Sequence, residues 1–266
     1  MPTTRNVAWD GRLQAFKGRD ITHYVTTAAD LAKTCASCRA PLETDEPVSL
    51  LVEITQSWAP DGTEYLTFTD AVCHRRCSGP VLTVRQTPWE PDTLSPVAAR
   101  VLLTQKSKSG RTRVVPVLAF TFVPVLSFRE DGGELTSALV ALPLARGFQL
   151  AVSHDYAAIL EQAAEADANC RITVAPEGLL RLRLDGEILY REQLHPGSAD
   201  DAEWLQAVAR AGHILVISGD NLNITETGLD IHAAAQHGTL VIGTVPVSGV
   251  GSFASAAQHR AQRHAR

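Results

Sequence analysis

Two short cysteine-bearing turns constrain this chain more than any other feature. Cys35-Ala-Ser-Cys38 is a C-x2-C pair. Thirty-four residues on stands Cys73-His-Arg-Arg-Cys77, which offers an H-x2-C pair through His74 and Cys77 or a C-x3-C pair through Cys73. Between them, 48–55 and 63–69 read as two strands joined through Ala59-Pro-Asp-Gly62. Two ligand pairs on tight turns, brought together by a hairpin, are how a small β module closes a tetrahedral site for a structural Zn2+. The candidate ligands are therefore Cys35, Cys38, His74 and Cys77, with Cys73 as the alternative. A redox dithiol would need a thioredoxin-like βαβ setting around Cys35, which the pattern lacks. A zinc deaminase would need H-x-E and a proline before the second pair, where this chain has His23-Tyr-Val25 and Thr34. Five cysteines leave one over, and Cys170, just before an apolar run, reads as a buried structural thiol.

The segment from Cys35 to Cys77 resembles the C-x2-C…H-x2-C fingers of LIM modules and of the poly(ADP-ribose) polymerase type of DNA-break sensor. That resemblance covers about one sixth of the chain. It implies a zinc-held binding module with Cys35, Cys38, His74 and Cys77 as ligands, and it does not carry over DNA binding. The gap of 35 residues before His74 is longer than such fingers have, and Cys73 stands where they place an aromatic.

Composition sets the broader class. With 266 residues, 45% hydrophobic and 20% charged, the chain is an ordinary globular one, long enough for one large or two modest domains. No apolar run follows the charged first twenty residues, and 114–128 is too short and too proline-interrupted to span a bilayer. A cytoplasmic protein without membrane contact is expected, where paired cysteines bind metal rather than form disulfides. Arg outnumbers Lys 20 to 4, a usage that suits a GC-rich bacterial coding sequence.

The expected fold class is α+β: a zinc-ribbon-like β module (20–90), a mixed α/β domain (96–250; β-rich over 96–150, α/β over 151–250) and a basic tail (251–266). A Pro-rich joint, 87–96, separates the first two. Strands are expected at 98–104, 113–128, 135–142, 171–175, 179–184, 187–191, 213–218 and 239–245. In 113–128 apolar residues occupy both faces, which argues a buried strand, broken or at an edge near Pro116 and Pro124. A helix is expected from an N-cap at Ser153 to an exit near Asn169. A second, 200–211, carries Ser198 and Asp201 as a capping pair and ends at Gly212. Strand 213–218, a weak helix over 226–237 and strand 239–245 read as a short βαβ unit with two parallel strands.

Charge is uneven: net +4 over 96–150 and −9 over 151–250. Lys106, Lys108, Arg111 and Arg113 crowd an expected hairpin tip, and Arg75 and Arg76 sit in the second cysteine turn. Such cations can follow a phosphate backbone, so nucleic acid is a candidate partner, with another protein as the other. Asp220 and Asn221 follow strand 213–218 directly, where ligand sites of α/β sheets gather. An α/β enzyme of the metal-assisted hydrolase type, with Asp220 as its catalytic residue, is the alternative. No Walker A loop, G-x-G-x-x-G or G-x-S-x-G is present. The expectation is a zinc-containing binding or regulatory protein rather than an enzyme.

Overall fold

The computed structural model describes residues 3–4, 6–18, 21–59, 62–88, 96–106, 112–123, 125–129, 135–220, 222–225 and 228–249. The fold is α+β and strand-rich, with curled sheets and few helices. In chain order the longer strands are β1 Val48–Trp58, β2 Glu64–His74, β3 Val81–Gln86, β4 Pro96–Lys106, β5 Thr112–Phe122 and β6 Val125–Arg129. They continue with β7 Cys170–Val174, β8 Leu179–Leu184, β9 Glu187–Gln193, β10 His213–Ser218 and β11 Val241–Ser248. The helices of five or more residues are α1 Ile21–Leu31, α2 Ala138–Leu144, α3 Tyr156–Gln162, α4 Ala199–Ala211 and α5 His232–Gln236.

The chain forms two compact units. One comprises Met1–Leu94 with Pro124–Ala138, the other Ser95–Val123 with Leu139–Arg266. Residues 124–138, expected within the β-rich middle, thus belong with the first unit. The expected tail 251–266, the tip of the basic hairpin at 107–111 and most of the 87–96 joint lie outside the described residues.

In the first unit β1 and β2 pair antiparallel along their whole length, from Val48↔His74 to Trp58↔Glu64. β6 continues the sheet beyond β2, while β3 runs parallel to β1 on its other edge. Val48, Leu50, Val52 and Ile54 alternate along β1 and meet Ile21, Val25 and Ala28 of α1 in one apolar core. That spacing of i, i+4 and i+7 turns one helix face inward.

In the second unit the sheet order is β9-β8-β7-β11-β10-β5-β4. β5 lies between β10 and the edge strand β4 and is buried on both faces from Val115 onward. Val115, Val117 and Ala119 pack with Ile159 of α3 and Ala234 of α5. On β5 itself the parity is that expected from sequence, and the parallel ladder to β10 starts only at Val117, so Pro116 interrupts none of it. The edge strands curl toward one another. Arg100 of β4 meets Glu192 of β9 at 3.0 Å and Asp201 of α4 at 2.7 Å. Phe120 of β5 stacks on Tyr190 of β9 at 6.1 Å. The Trp204 indole N–H of α4 donates to the Val117 carbonyl at 3.2 Å.

Several local expectations are corrected. The βαβ reading fails: β10 and β11 pair antiparallel, from His213↔Pro246 to Ser218↔Val241. The helix between them has five residues, and a two-stranded ladder, Asn223–Thr225 with Gly228–Asp230, fills the rest of the connection. The parallel partner of β10 is instead β5. The expected strand 113–128 ends at Phe122, and β6 resumes in the other unit past Pro124. The expected strand 135–142 gives way to α2 after Thr136–Ser137. Asp155, not Ser153, caps α3, its carboxylate accepting from the Ala157 N–H; the Ser153 hydroxyl accepts from Asp155 N–H instead. α3 stops at Gln162, well before Asn169. Ser198 holds the N-cap position of α4 without a side-chain bond, and the reciprocal half of the capping pair is absent too, because the Asp201 carboxylate is taken by Arg100 and by the His195 N–H at 2.6 Å. Gly212, in the left-handed region, closes α4 as expected. The Asp185-Gly186 turn, with both φ positive, joins β8 to β9.

Candidate metal centre

The backbone builds both ligand turns before any side chain matters. Cys35 N–H donates to the Ala40 carbonyl at 2.8 Å and Arg39 N–H to that of Cys35 at 2.9 Å. Arg39 adopts φ 65° to close this turn. The Ala36 N–H donates to the Val72 carbonyl at 2.9 Å, tying the first turn to the end of β2. The second turn starts where β2 stops, with Cys77 N–H on the His74 carbonyl at 2.8 Å. The full-length β1–β2 ladder therefore delivers His74 to the first turn.

The Sγ atoms of Cys35, Cys38 and Cys77 and a ring nitrogen of His74 all lie within 4.8 Å of one another. His74 Nδ1 is 3.3 Å from Cys38 Sγ and 3.8 Å from Cys77 Sγ. A zinc tetrahedron with three sulphurs and one nitrogen has edges of about 3.5–3.8 Å. These four residues can hold a metal ion. Cys35 and His74 are buried, while Cys38 is exposed.

The other ring nitrogen fixes the tautomer. His74 Nε2 lies 3.0 Å from the Pro41 carbonyl and 3.1 Å from a Glu46 carboxylate oxygen. Both are acceptors, so Nε2 carries the proton and donates, and Nδ1 turns its lone pair to the cysteines. Glu46 also holds Arg76 at 3.0 Å. Sequence reading missed Pro41 and Glu46, since the gap between the turns gives no spacing rule for an outer partner.

The thiols are unequal. Burial acts to raise Cys35, but N–H groups of Cys38, His74 and Ser37 aim at its sulphur and bring it down to about 5. Cys77 is pushed up to about 11 by burial and by the sulphurs of Cys38 and Cys35. Cys73 is buried beside Cys35, hydrogen-bonds to it, and is raised chiefly by burial. It lies outside the four-atom group, as its position on β2 next to His74 requires: successive strand residues face opposite ways.

The remaining candidates are dispersed. Arg75 and Arg76 are exposed in the second turn. The β4–β5 hairpin carries its register to Lys106↔Thr112, while Lys108 and Arg111 lie outside the described residues. Arg113 donates to His213 Nε2 at 2.6 Å. Asp220 is buried at the end of β10, its carbonyl accepting from the Thr239 hydroxyl at 3.0 Å; Asn221 lies outside the described residues. Among the described residues the four-residue group is the one cluster of three or more such ligands. Cys170 is fully buried, its thiol pushed up to about 11 by that burial, then by Asp185 and Asp167. No helix among the described residues is long and apolar enough to cross a membrane. No protein-family model, curated protein or solved structure matches this chain.

Proposed function

We propose that this is a zinc-containing binding protein, its first unit stapled by Zn2+ on Cys35, Cys38, His74 and Cys77, with nucleic acid as its partner. One observation supports the zinc reading above others: His74 spends Nε2 on two acceptors and presents Nδ1 to a group of thiols. Three thiolates and an imidazole form a soft donor set that suits zinc in a closed, structural site. With all four positions filled by side chains, the ion holds the fold together and no open position is left for a reacting water. The nucleic-acid reading draws on Arg75 in the second turn and on Lys106, Lys108 and Arg111 of the basic segment, with Arg76 left out because it is paired with Glu46. Arg113, bonded to His213, is not counted among them.

Elemental analysis of purified protein tests the first part, with about one zinc per chain expected. Five titratable thiols in untreated native protein would overturn it. For the second part, K106E/K108E/R111E should abolish a salt-sensitive gel shift on mixed duplex and single-stranded probes. An unchanged shift, or none by the parent at low salt, removes nucleic acid and leaves a protein partner for nuclease-treated pull-downs.

A further inference from the structure

The second unit contains a cavity of about 420 Å3, within the range of small-molecule sites. Val115 of β5, Leu215 of β10, Pro246 of β11 and Leu160 of α3 give it an apolar wall. Arg113, Glu165 and His213 share the lining and bring charge to it.

How those three are held decides what the cavity can take. Arg113 Nη2 donates to His213 Nε2 at 2.6 Å. Burial, and then the adjacent cation, hold His213 below its ordinary range, so it meets Arg113 as a neutral acceptor. A neutral acceptor positions the guanidinium and leaves its charge uncompensated. Among the described residues Arg113 makes no ion pair. Glu165 is fixed through its backbone. Thr244 N–H donates to the Ala164 carbonyl and Ala166 N–H to the Thr244 carbonyl, each at 2.8 Å, which bridges Glu165 to β11. Its carboxylate is exposed and near enough to His213 to act on it electrostatically, with no salt bridge among the described residues.

The Arg113 guanidinium, held by His213, and the exposed Glu165 carboxylate therefore line one cavity beside an apolar wall, neither in an ion pair among the described residues. A ligand that satisfies both must carry the two opposite charges itself, with a hydrocarbon body for the wall. We propose that this cavity binds a free α-amino acid with an apolar side chain. Its carboxylate meets the Arg113 fork, its ammonium meets Glu165, and its side chain lies on Val115, Leu160 and Leu215. Arg suits the carboxylate because its planar fork gives two parallel N–H donors.

Calorimetric titration of the full chain with L-leucine, L-isoleucine and L-valine tests this. The single-charge analogues 4-methylpentanoate and 3-methylbutylamine serve as controls. Saturable binding of at least one amino acid is expected, with both analogues at least about tenfold weaker, since each lacks a charge-assisted hydrogen bond. R113Q and E165Q should each weaken binding by about tenfold or more while leaving the melting temperature unchanged. The triple variant K106E/K108E/R111E should bind the amino acid like the parent, which separates this site from the nucleic-acid reading. No saturation by any of the three at about 10 mM overturns the proposal. So does 4-methylpentanoate binding as well as leucine. If a variant fails to fold, the two analogues decide the question on the parent chain.

Discussion

His74 and Cys73 are neighbours in sequence with opposite duties. His74→Ala should lose the metal, because it removes the one imidazole in the group, whereas Cys73→Ala should keep it; metal content per chain measured on both variants checks this. Which of the two could ligate was open from sequence, since both spacings are acceptable, and the pleat of β2 puts His74 rather than Cys73 in the four-residue group. Asp201 shows a second kind of dependence on surroundings. Burial acts to raise its carboxyl, yet the His195 N–H and the Arg100 guanidinium outweigh burial and hold it below the ordinary carboxylate range. A depressed folded value means the contribution to stability is present above the unfolded value of about 3.9 and is lost as pH falls through the folded one. Asp201→Asn should therefore flatten the acid limb of stability against pH, at a cost of about 1–3 kcal/mol at neutral pH. Urea melts at several pH values measure both. Gly178 makes a simpler case. Its φ is 93°, and a Cβ there would run into the Leu194 carbonyl. Gly178→Ala should cost about 2 kcal/mol or more, read in the same melts.

Among the elements, β5 was the most legible and its continuation the least. Alternation marks Val115 and Val117 on one face and Leu118 and Phe120 on the other, and each set finds its own packing. Nothing in that pattern says that the chain changes unit at Pro124, because periodicity reports burial and not the identity of the covering element. The pairing of β10 with β11 was misread for a related reason. Strand direction is fixed by distant partners, here β5 at the far side of β10, and a short amphipathic stretch between two strands looks the same whether they end parallel or antiparallel. The helix signals were mixed at both ends: the stop of α4 was legible, whereas α3 ends seven residues before its expected exit near Asn169. Gly212 ends α4 by its left-handed backbone, whereas Asp155 takes the cap of α3 from Ser153, and Ser198 keeps its N-cap position without a side-chain bond. The Trp204 bond from α4 to the β5 backbone is an element-level contact with a measurable value. Trp204→Phe keeps most of the apolar area and leaves the Val117 carbonyl without this donor, so a loss of about 1–2 kcal/mol in denaturant melts is expected.

At the level of the whole molecule, the two units have different sources of stability. The first has one apolar core on a sheet that the four-residue cluster draws together at one end. The second has helices on both faces of β5 and no such cluster among its described residues. Metal binding of this kind is folding free energy, on the order of 10 kcal/mol in small zinc-finger peptides. A strong chelator should therefore melt the first unit and leave the second with its own cooperative transition; hydrogen exchange mapped along the chain distinguishes the two. The chain's route between units has a consequence for synthesis. Residues 124–138 belong to the first unit but follow β4 and β5, which belong to the second. A ribosome delivering the chain from its N-terminus must release β5 before the first unit can complete its sheet. β5 is apolar on both faces, and its later partner β10 is made about ninety residues afterwards. For that interval β5 is paired only with β4, so the demand for chaperone cover should peak between the synthesis of β5 and that of β10.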